Sequence, residues 1–303
     1  MDKKIVIAGG TGFLGQALIR KFEGQGYEIV VLTRKPKAPQ GKVTYVQWDA
    51  KTLGPWATSL ERSAALINLT GRSVNCRYTE SNKKEMVASR VDATRILGVA
   101  ILGSNAAPKV WINASSAAIF GYSEDEIKDE EAVLGAGFVS EICQQWEAAF
   151  HSATPHTRKV ILRIGVVLQP KIGLLQPFVN LVKWGLGGKL GSGQQYFSWI
   201  HEADFLEIVH TAIHDDAFVG TFHATSPHPV KNQEFMRSLR QAAAVPYGIP
   251  NPSWTLKLGA VFIGTEAELV LRGRRVVPKR LQDQGFQFKY PHIQEAVAEL
   301  LRK

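Results

Sequence analysis

Cysteine is nearly absent from this sequence, and long apolar runs are missing from it. The 303 residues include two cysteines, Cys76 and Cys143, too few for a disulfide framework, which favours a reducing compartment. No stretch approaches the roughly 18 consecutive apolar residues that a transmembrane helix needs. The apolar run near the N-terminus is short and ends in glycines, so no signal peptide is expected. We therefore predict a cytoplasmic protein with no membrane partner.

Metal-ligand spacings and nucleic-acid motifs are also missing. The eight histidines are scattered without the spacing of a zinc site, so we expect no metal. The formal net charge is +9, but the basic residues are spread along the chain, with their densest run, RGRRVVPKR, at 272–280. This distribution is typical of a solvated surface or of an anionic small ligand. We expect a small-molecule substrate, no nucleic acid, and a monomer or homodimer.

Strand and helix patterns alternate along the first three quarters of the chain. The predicted strands lie at 4–8, 28–34, 43–49, 64–71, 109–116, 159–168 and 220–226. Apolar residues at helical spacing predict helices between them, at 13–26, 83–104, 138–153 and 202–215. This alternation predicts an α/β fold, a Rossmann-type doubly wound parallel sheet.

The pattern changes after Pro170, where the chain becomes rich in glycine and aromatic residues, and from 229 on it is mostly helical. We therefore expect two domains. Residues 1–168 and 200–228 would form the Rossmann domain. Residues 169–199 and 229–303 would form a smaller, mostly helical C-terminal lobe.

The stretch AGGTGFLG, 8–15, follows the first predicted strand and opens the first predicted helix. Glycine lets the backbone turn sharply and lets a pyrophosphate approach, while the helix N-terminus offers N–H groups and a positive dipole end. Because the glycines lie between a strand and a helix, the motif predicts a dinucleotide site. The residues expected at the cofactor are Gly9, Gly10, Thr11, Gly12, Phe13, Leu14 and Gly15.

The second predicted strand ends in Thr33 and Arg34. An acidic residue at this place would bind a ribose 2′-OH and favour NAD. A hydroxyl and a guanidinium suit a 2′-phosphate instead, so NADP is the expected cofactor and NAD the less favoured one. The alternative is that Arg34 is an ordinary exposed arginine.

With the glycine loop, NLTG, NASSAAIFG and LRIGVVL in this order, the chain resembles the extended short-chain dehydrogenase/reductase superfamily, which includes nucleotide-sugar epimerases and dehydratases. The blocks TESNKKEMVASRVDATRIL, GLGGKLGSGQQYFSWIHEADF, ATSPHPVKNQEFMRSL and RVVPKRLQDQGFQFKYP look like an atypical, sugar nucleotide epimerase-like subfamily. The resemblance runs nearly end to end. It implies a Rossmann domain that binds NADP and a small C-terminal lobe on the substrate side.

The resemblance also implies roles for single residues. Arg90 stands where superfamily members usually have an asparagine in the long helix, and Ser116 falls at the position of the catalytic serine. A bland interpretation of Ser115 and Ser116 is a strand end with small polar residues. The further positions expected at the cofactor are Thr33, Arg34, Leu69, Thr70, Gly71, Arg90 and Ser115.

The superfamily's catalytic tyrosine and lysine are where the resemblance fails. Their places fall on Cys143 and Glu147. In the usual chemistry the tyrosine is the general acid or base, and the lysine holds the ribose and lowers the tyrosine's pKa. Cys143 lies on an apolar helical stripe, which favours a packing role over a reactive thiol. For Glu147 a plain surface position is the simpler expectation.

Two functions remain open on the sequence. The first is an NADP-dependent oxidoreductase or epimerase that acts on a small or nucleotide-linked substrate with atypical residues. Its candidate catalytic residues are Ser116, Tyr122 and His201. The second is a catalytically silent NADP-binding sensor or regulatory protein. Trp199 could stack on a sugar or base, or its loop could pack back on the domain.

Overall fold

The computed structural model describes residues 3–35, 37–123, 125–153, 156–170, 173, 175–263 and 266–302, with the backbone alone at 259–263. In chain order the strands are β1 Lys4–Ala8, β2 Glu28–Thr33, β3 Val43–Gln47, β4 Ala65–Asn68, β5 Val110–Ser116, β6 Ile127–Lys128, β7 Arg158–Ile164, β8 Val166–Leu168, β9 Tyr196–Phe197, β10 Trp199–His201, β11 Gly220–Ala224, β12 Val230–Lys231 and β13 Arg275–Val276. The helices are α1 Phe13–Gly24, α2 Glu80–Leu102, α3 Phe138–Ser152, α4 Leu175–Lys183, α5 Glu202–His214, α6 Asn232–Ala242, α7 Ser253–Ile263, α8 Glu268–Leu271, α9 Lys279–Asp283 and α10 Ile293–Arg302. Short 3₁₀ segments occupy Pro55–Leu60 and Ala117–Phe120.

Seven parallel strands form the central sheet in the order β11-β7-β5-β4-β1-β2-β3. The predicted Rossmann-type fold is therefore confirmed. Strand order reverses between β1 and β4, and in such sheets ligands bind in the crevice beyond the carboxyl ends of the strands at this reversal. The glycine loop after β1 and the serine pair at the end of β5 lie at that edge.

Helices cover both faces of the sheet because their apolar residues recur at three- and four-residue spacing. On one face, α1 buries Leu18 and Phe22 and α5 buries Phe205 and Val209 in the same cluster. On the other face, α2 buries residues one helical turn apart, among them Leu97. Such burial contributes about 1.5–3 kcal/mol for each large apolar side chain.

One predicted strand is broken in the structure. Residues 159–168 look like one continuous apolar strand, but the chain leaves the central sheet at Gly165, where β7 ends and β8 begins. A Cβ on Gly165 would lie 2.8 Å from the Ser198 carbonyl oxygen, so only glycine allows the two segments to approach. Strand β8 then pairs with β10 instead.

A second apolar cluster lies outside the sheet and joins α4, α6 and α10. Its aromatic centre is Phe178, Phe197 and Phe235, with the last two rings stacked at 4.4 Å between centroids. This cluster supports the predicted C-terminal lobe, although the domain boundaries stay a prediction. Within the described residues, no helix combines the length and the hydropathy that crossing a bilayer requires.

Candidate functional site

The glycine loop between β1 and α1 is too tightly packed for any side chain at two of its positions. Gly9 has φ +78°, and a Cβ there would lie 2.9 Å from the carbonyl carbon of Leu69. A Cβ on Gly15 would lie 2.4 Å from the Cα of Gly10. Gly10 is buried against Val31, 3.0 Å from where its Cβ would stand. These contacts fold the loop closely over the ends of β1 and β4.

Gly12 differs, because a Cβ there would meet only the Gly9 carbonyl oxygen, at 3.6 Å. It precedes α1, which has neither a side-chain cap at its N-terminus nor an acidic residue in its first turn. Thr11 and Gly12 are exposed, and Phe13 is 49% exposed, whereas Leu14 packs on the core. The helix N-terminus is therefore open to an anion, as a pyrophosphate site requires.

The end of β2 presents one fixed hydroxyl and one exposed cation. Thr33 is buried, and its hydroxyl accepts a hydrogen bond from the Lys35 amide at 3.3 Å. Arg34 is exposed, and its guanidinium has no ion pair among the residues that the structure describes. A 2′-phosphate would meet an uncommitted guanidinium here, which fits NADP.

The loop after β4 rests on a buried polar network that the sequence did not reveal. The Asn68 side chain accepts from the Thr70 amide at 3.0 Å and donates to the Asn113 amide oxygen at 2.7 Å. It also donates to Thr94 Oγ1 at 3.1 Å, and the Trp146 indole donates to that same oxygen at 2.9 Å. The network fixes the loop 69–71 beside the glycine loop. Asparagines inside apolar strands were the only signal for it.

Arg90 lies against that loop, where the resemblance leads one to expect a cofactor contact. Its Cζ would be 2.9 Å from a Cβ on Gly71, so the two are in direct contact. Its Nη1 donates to the Met86 carbonyl at 2.8 Å, and its guanidinium lies 5.2 Å from the centre of the Trp146 ring. Burial lowers the pKa of Arg90, and no carboxylate within the described residues pairs with it.

The expectation of a surface position for Glu147 is wrong. Its side chain is buried, and both carboxylate oxygens accept from Arg163 of β7, at 3.0 and 2.9 Å. Ser115 donates to the same carboxylate at 2.6 Å. Sequence spacing cannot show these contacts, because Ser115, Glu147 and Arg163 belong to three different elements. Strands β5 and β7 become neighbours only when the sheet forms. The Ser115 hydroxyl is thereby committed to Glu147.

Cys143 lies one turn before Glu147 and is buried, as predicted, among Ala117, Phe120 and Val276. Burial, opposed by Arg90 and assisted by the neighbouring Glu147 carboxylate, raises the pKa of the thiol to about 11. The thiol is therefore protonated at neutral pH. It cannot replace the acid–base function of a tyrosine whose pKa lies near the working pH.

Ser116 and Tyr122 lie on either side of the 3₁₀ segment that follows β5. The Ser116 hydroxyl accepts from the Ala118 amide at 3.2 Å and caps that segment. The Tyr122 ring is 37% exposed. Burial, with some contribution from Glu268, raises the pKa of its phenol, so the hydroxyl keeps its proton. Both side chains remain available to a ligand at the end of β5.

His201 is placed for packing rather than for catalysis. It is 2% exposed, its Nδ1 accepts from the Ala203 amide at 3.0 Å, and its Nε2 lies 3.0 Å from the Glu299 carboxylate of α10. Both ring nitrogens are thus committed to holding α5 and α10. Trp199 is fully buried and donates to the His228 carbonyl, which favours packing back on the domain over stacking on a substrate.

Two residues that the sequence did not single out complete the site. Arg274, just before β13, donates through Nε to the Gly121 carbonyl at 2.7 Å, and its Cζ lies 5.5 Å from the centre of the Tyr122 ring. The hydroxyl of Tyr78 is buried and has no hydrogen-bond partner in the described part of the chain. Electrostatic interactions join these residues to Arg90 and Cys143. We name the five residues Tyr78, Arg90, Tyr122, Cys143 and Arg274 the arginine–tyrosine cluster.

A separate open groove of about 670 Å³ lies between α2 and α3. Its lining mixes both charges and includes Glu80, Lys84, Arg95 and Glu141. It shares no residue with the glycine loop or with the arginine–tyrosine cluster. The groove is therefore separate from the candidate site at the strand ends.

Known proteins resemble this chain over almost its full length. The profile of the NAD dependent epimerase/dehydratase family matches residues 5–222, and that of a domain of unknown function, DUF1731, matches residues 251–300. The chloroplastic epimerase family protein SDR39U1 homolog of Arabidopsis thaliana is 31% identical over 306 residues, covering 98% of this chain and 86% of that protein. Epimerase family protein YfhF of Bacillus subtilis is 32% identical over 300 residues, covering 98% and 97%. The crystal structure of human epimerase family protein SDR39U1 (isoform 2) with NADPH has a TM-score of 0.89 at 31% identity and covers 99% of each chain.

Proposed function

The chain belongs to the NAD dependent epimerase/dehydratase family, and we propose that it binds NADP(H) at the crevice beyond β1, β2 and β4. The observation that carries this proposal is the uncapped N-terminus of α1 behind Gly12, together with the uncommitted Arg34 at the end of β2. The NADPH in the structure of the human relative supports it. No carboxylate stands at the end of β2 to select a free ribose 2′-OH.

Several residues would hold the cofactor. The amides at the start of α1 would bind the pyrophosphate, and Thr33 and Arg34 the 2′-phosphate. The loop 69–71, fixed by Asn68, would lie along the adenosine side, and Arg90 would approach from above it. Bound NADP(H) would supply reversible hydride transfer to or from a carbon of the substrate.

Cofactor titrations test this proposal. Purified protein and the variant Arg34→Ala are titrated with NADPH and with NADH, and binding is followed by calorimetry. We expect the wild type to prefer NADPH and Arg34→Ala to lose about 10–150-fold in NADPH affinity, the range for a hydrogen bond to a charged group. NADH affinity should not change. Arg237→Ala, which removes an exposed cation on α6, is the matched control. Equal wild-type affinity for both cofactors would sink the proposal.

For the reaction, we propose an oxidoreductase or epimerase that acts on a small or nucleotide-linked substrate beside the end of β5. Ser116 and Tyr122 are the side chains there that can exchange or donate a proton to a substrate oxygen. Burial raises the pKa of Tyr122, so its phenol keeps its proton at neutral pH and can donate a hydrogen bond to a substrate oxygen. Since His201 is committed to packing, we do not assign it a catalytic role.

The second candidate is an NADP-binding protein without turnover. The buried, protonated thiol of Cys143 at the place of the usual tyrosine favours it. A screen of nucleotide sugars and small carbonyl compounds, with NADPH oxidation followed by absorbance, separates the two. Turnover that falls at least 100-fold in Tyr122→Phe or Ser116→Ala supports the enzyme. Binding of NADPH with no turnover of any compound supports the sensor.

A further inference from the structure

Arg274 holds a charge that no carboxylate of the described chain neutralises. Within those residues, no Asp or Glu oxygen approaches it to the distance of an ion pair. Burial lowers its pKa, and the groups that interact with its charge are Tyr122, Cys143 and Tyr78, all of which are neutral at pH 7. Arg274 is half-buried, and arginines that are largely removed from water are usually paired with an anion. The described chain therefore leaves the Arg274 guanidinium without a counter-charge.

The guanidinium is also held in place before any ligand arrives. Its Nε donates to the Gly121 carbonyl at 2.7 Å. The backbone carbonyl of Arg274 accepts a hydrogen bond from Ser198 Oγ at 2.7 Å. The Ser198 hydroxyl in turn accepts a hydrogen bond from the Val276 amide at 3.0 Å. Strand β13, which follows, pairs with β6. An arginine fixed in this way loses little side-chain entropy when it binds an anion.

Tyr78 adds an independent observation. Its hydroxyl is buried and has no partner within the described residues, and burial raises its pKa to about 12. A buried hydroxyl without a partner costs about 1–3 kcal/mol of desolvation. Its ring packs edge-on against Phe138, at 5.3 Å between centroids, and its amide donates to Glu266. The Tyr78 hydroxyl is thus a hydrogen-bond donor, held in place, for which the described residues provide no acceptor.

The nearby carboxylates are engaged elsewhere. Glu266 accepts from the Tyr78 amide at 3.0 Å, and Glu268 lies 3.8 Å from Arg272. Arg272 itself stands over the Tyr122 ring, with its Cζ 5.1 Å from the ring centre. Two arginines therefore approach Tyr122, and neither carboxylate is paired with Arg274.

We propose that Arg274 and Tyr78 bind an anionic group of the substrate, a carboxylate or a phosphate, and hold it beside Ser116 and Tyr122 at the end of β5. This proposal rests on the proposed function and names its substrate class as acidic. Arg90 lies against loop 69–71, whereas Arg274 comes from the chain after α8. A planar guanidinium suits both carboxylate and phosphate by two parallel hydrogen bonds.

The test uses simple anions on the cofactor-loaded protein. With NADPH saturating, so that the glycine loop and Arg34 are filled, wild type is titrated by calorimetry with inorganic phosphate and with malonate. We expect one of the two anions to bind and Arg274→Gln to weaken it about 10–100-fold. The two titrations tell phosphate from carboxylate. Arg237→Gln, on exposed α6, should bind the anion as the wild type does.

Tyr78→Phe keeps the test decisive if Arg274→Gln does not fold. Removing a hydroxyl that has no partner should leave the free energy of unfolding unchanged or raise it, while anion affinity falls about 5–10-fold. A purely structural role for Tyr78 would leave the anion titration unchanged. Wild-type binding of neither anion, or equal binding by wild type and both variants, overturns the proposal. NADPH affinity should be the same in all proteins, so failure here is distinct from failure of the cofactor site.

Discussion

The two ends of the crevice keep the superfamily's pattern to different degrees. At the cofactor end, the glycine loop, Thr33 and Arg34 match both the motif and its expected geometry. At the reaction end, the usual tyrosine and lysine are replaced by a buried thiol and a buried carboxylate. At the cofactor end, close backbone contacts leave room only for glycine. At the reaction end, two interacting side chains can be replaced together by another pair.

With the usual lysine replaced by Glu147, the reaction end still carries positive charge, but on other residues. Glu147 stands where a lysine is usual, and Arg163 of β7 neutralises it from the other side. Positive charge then reappears in Arg90 and Arg274, which approach Cys143 from different elements. The reaction end is therefore cationic through arginines, which always stay charged, rather than through a lysine that tunes a tyrosine.

The largest expected effect in this comparison concerns the buried pair. Glu147→Gln leaves the size of the side chain unchanged but removes its charge, so that Arg163 stays buried without a counter-charge. We expect the free energy of unfolding to fall by about 3–5 kcal/mol. Urea denaturation followed by tryptophan fluorescence measures it. Glu141→Gln, an exposed change on the same helix, should have almost no effect, and a loss below about 1 kcal/mol for Glu147→Gln would contradict the buried pair.

Features that repeat within one element can be predicted from the sequence, whereas side-chain contacts between different elements cannot. Strands, helices and the glycine loop follow from spacing within about 10–30 residues, because backbone preference and apolar periodicity are local. Glu147 is buried against Arg163, which is only 16 residues further on but lies on a strand rather than on the same helix. His201 is buried against Glu299, 98 residues further on. Both interpretations of Trp199 stayed open because the sequence identifies an aromatic ring but not the residues that cover it. Arg274 lies in the basic run 272–280, where the sequence alone does not distinguish one arginine from the next.

The thiol of Cys143 gives the next prediction, through pH. Its pKa is raised from 9.0 to about 11 in the folded protein, so the unfolded chain loses this proton first as pH rises. The stabilising contribution is complete below pH ~9 and is lost as pH approaches ~11, by roughly 2–3 kcal/mol. Comparing wild type with Cys143→Ala cancels the other titrating groups. The stability difference between the two should shrink from pH 8 to pH 11, and parallel curves would show that the thiol is not desolvated. Cys76→Ala is the control.

The two serines at the end of β5 are expected to have different roles, Ser115 in stability and Ser116 in any reaction. Ser115→Ala removes the 2.6 Å hydrogen bond to Glu147 and should lower the free energy of unfolding by about 1.5–3 kcal/mol. Ser116→Ala removes a weaker cap and should cost less than about 1 kcal/mol. Any turnover found in the substrate screen should fall more in Ser116→Ala. The reverse order in stability would exchange the roles of the two serines.

Three glycine variants at the cofactor end should give the smallest changes in stability and in NADPH affinity. Gly15→Ala brings a Cβ within 2.4 Å of the Gly10 Cα and should destabilise by about 1–3 kcal/mol through overpacking. Gly12→Ala has room in the free protein, with its nearest atom at 3.6 Å. Its methyl group would stand where the pyrophosphate approaches, so NADPH affinity should fall while stability stays the same. Gly24→Ala, at the exposed end of α1 with nothing within 4 Å, should gain about 0.4–1 kcal/mol. If Gly12→Ala binds NADPH as tightly as wild type does, the open N-terminus of α1 does not hold the cofactor, and the cofactor end departs from the superfamily as much as the reaction end does.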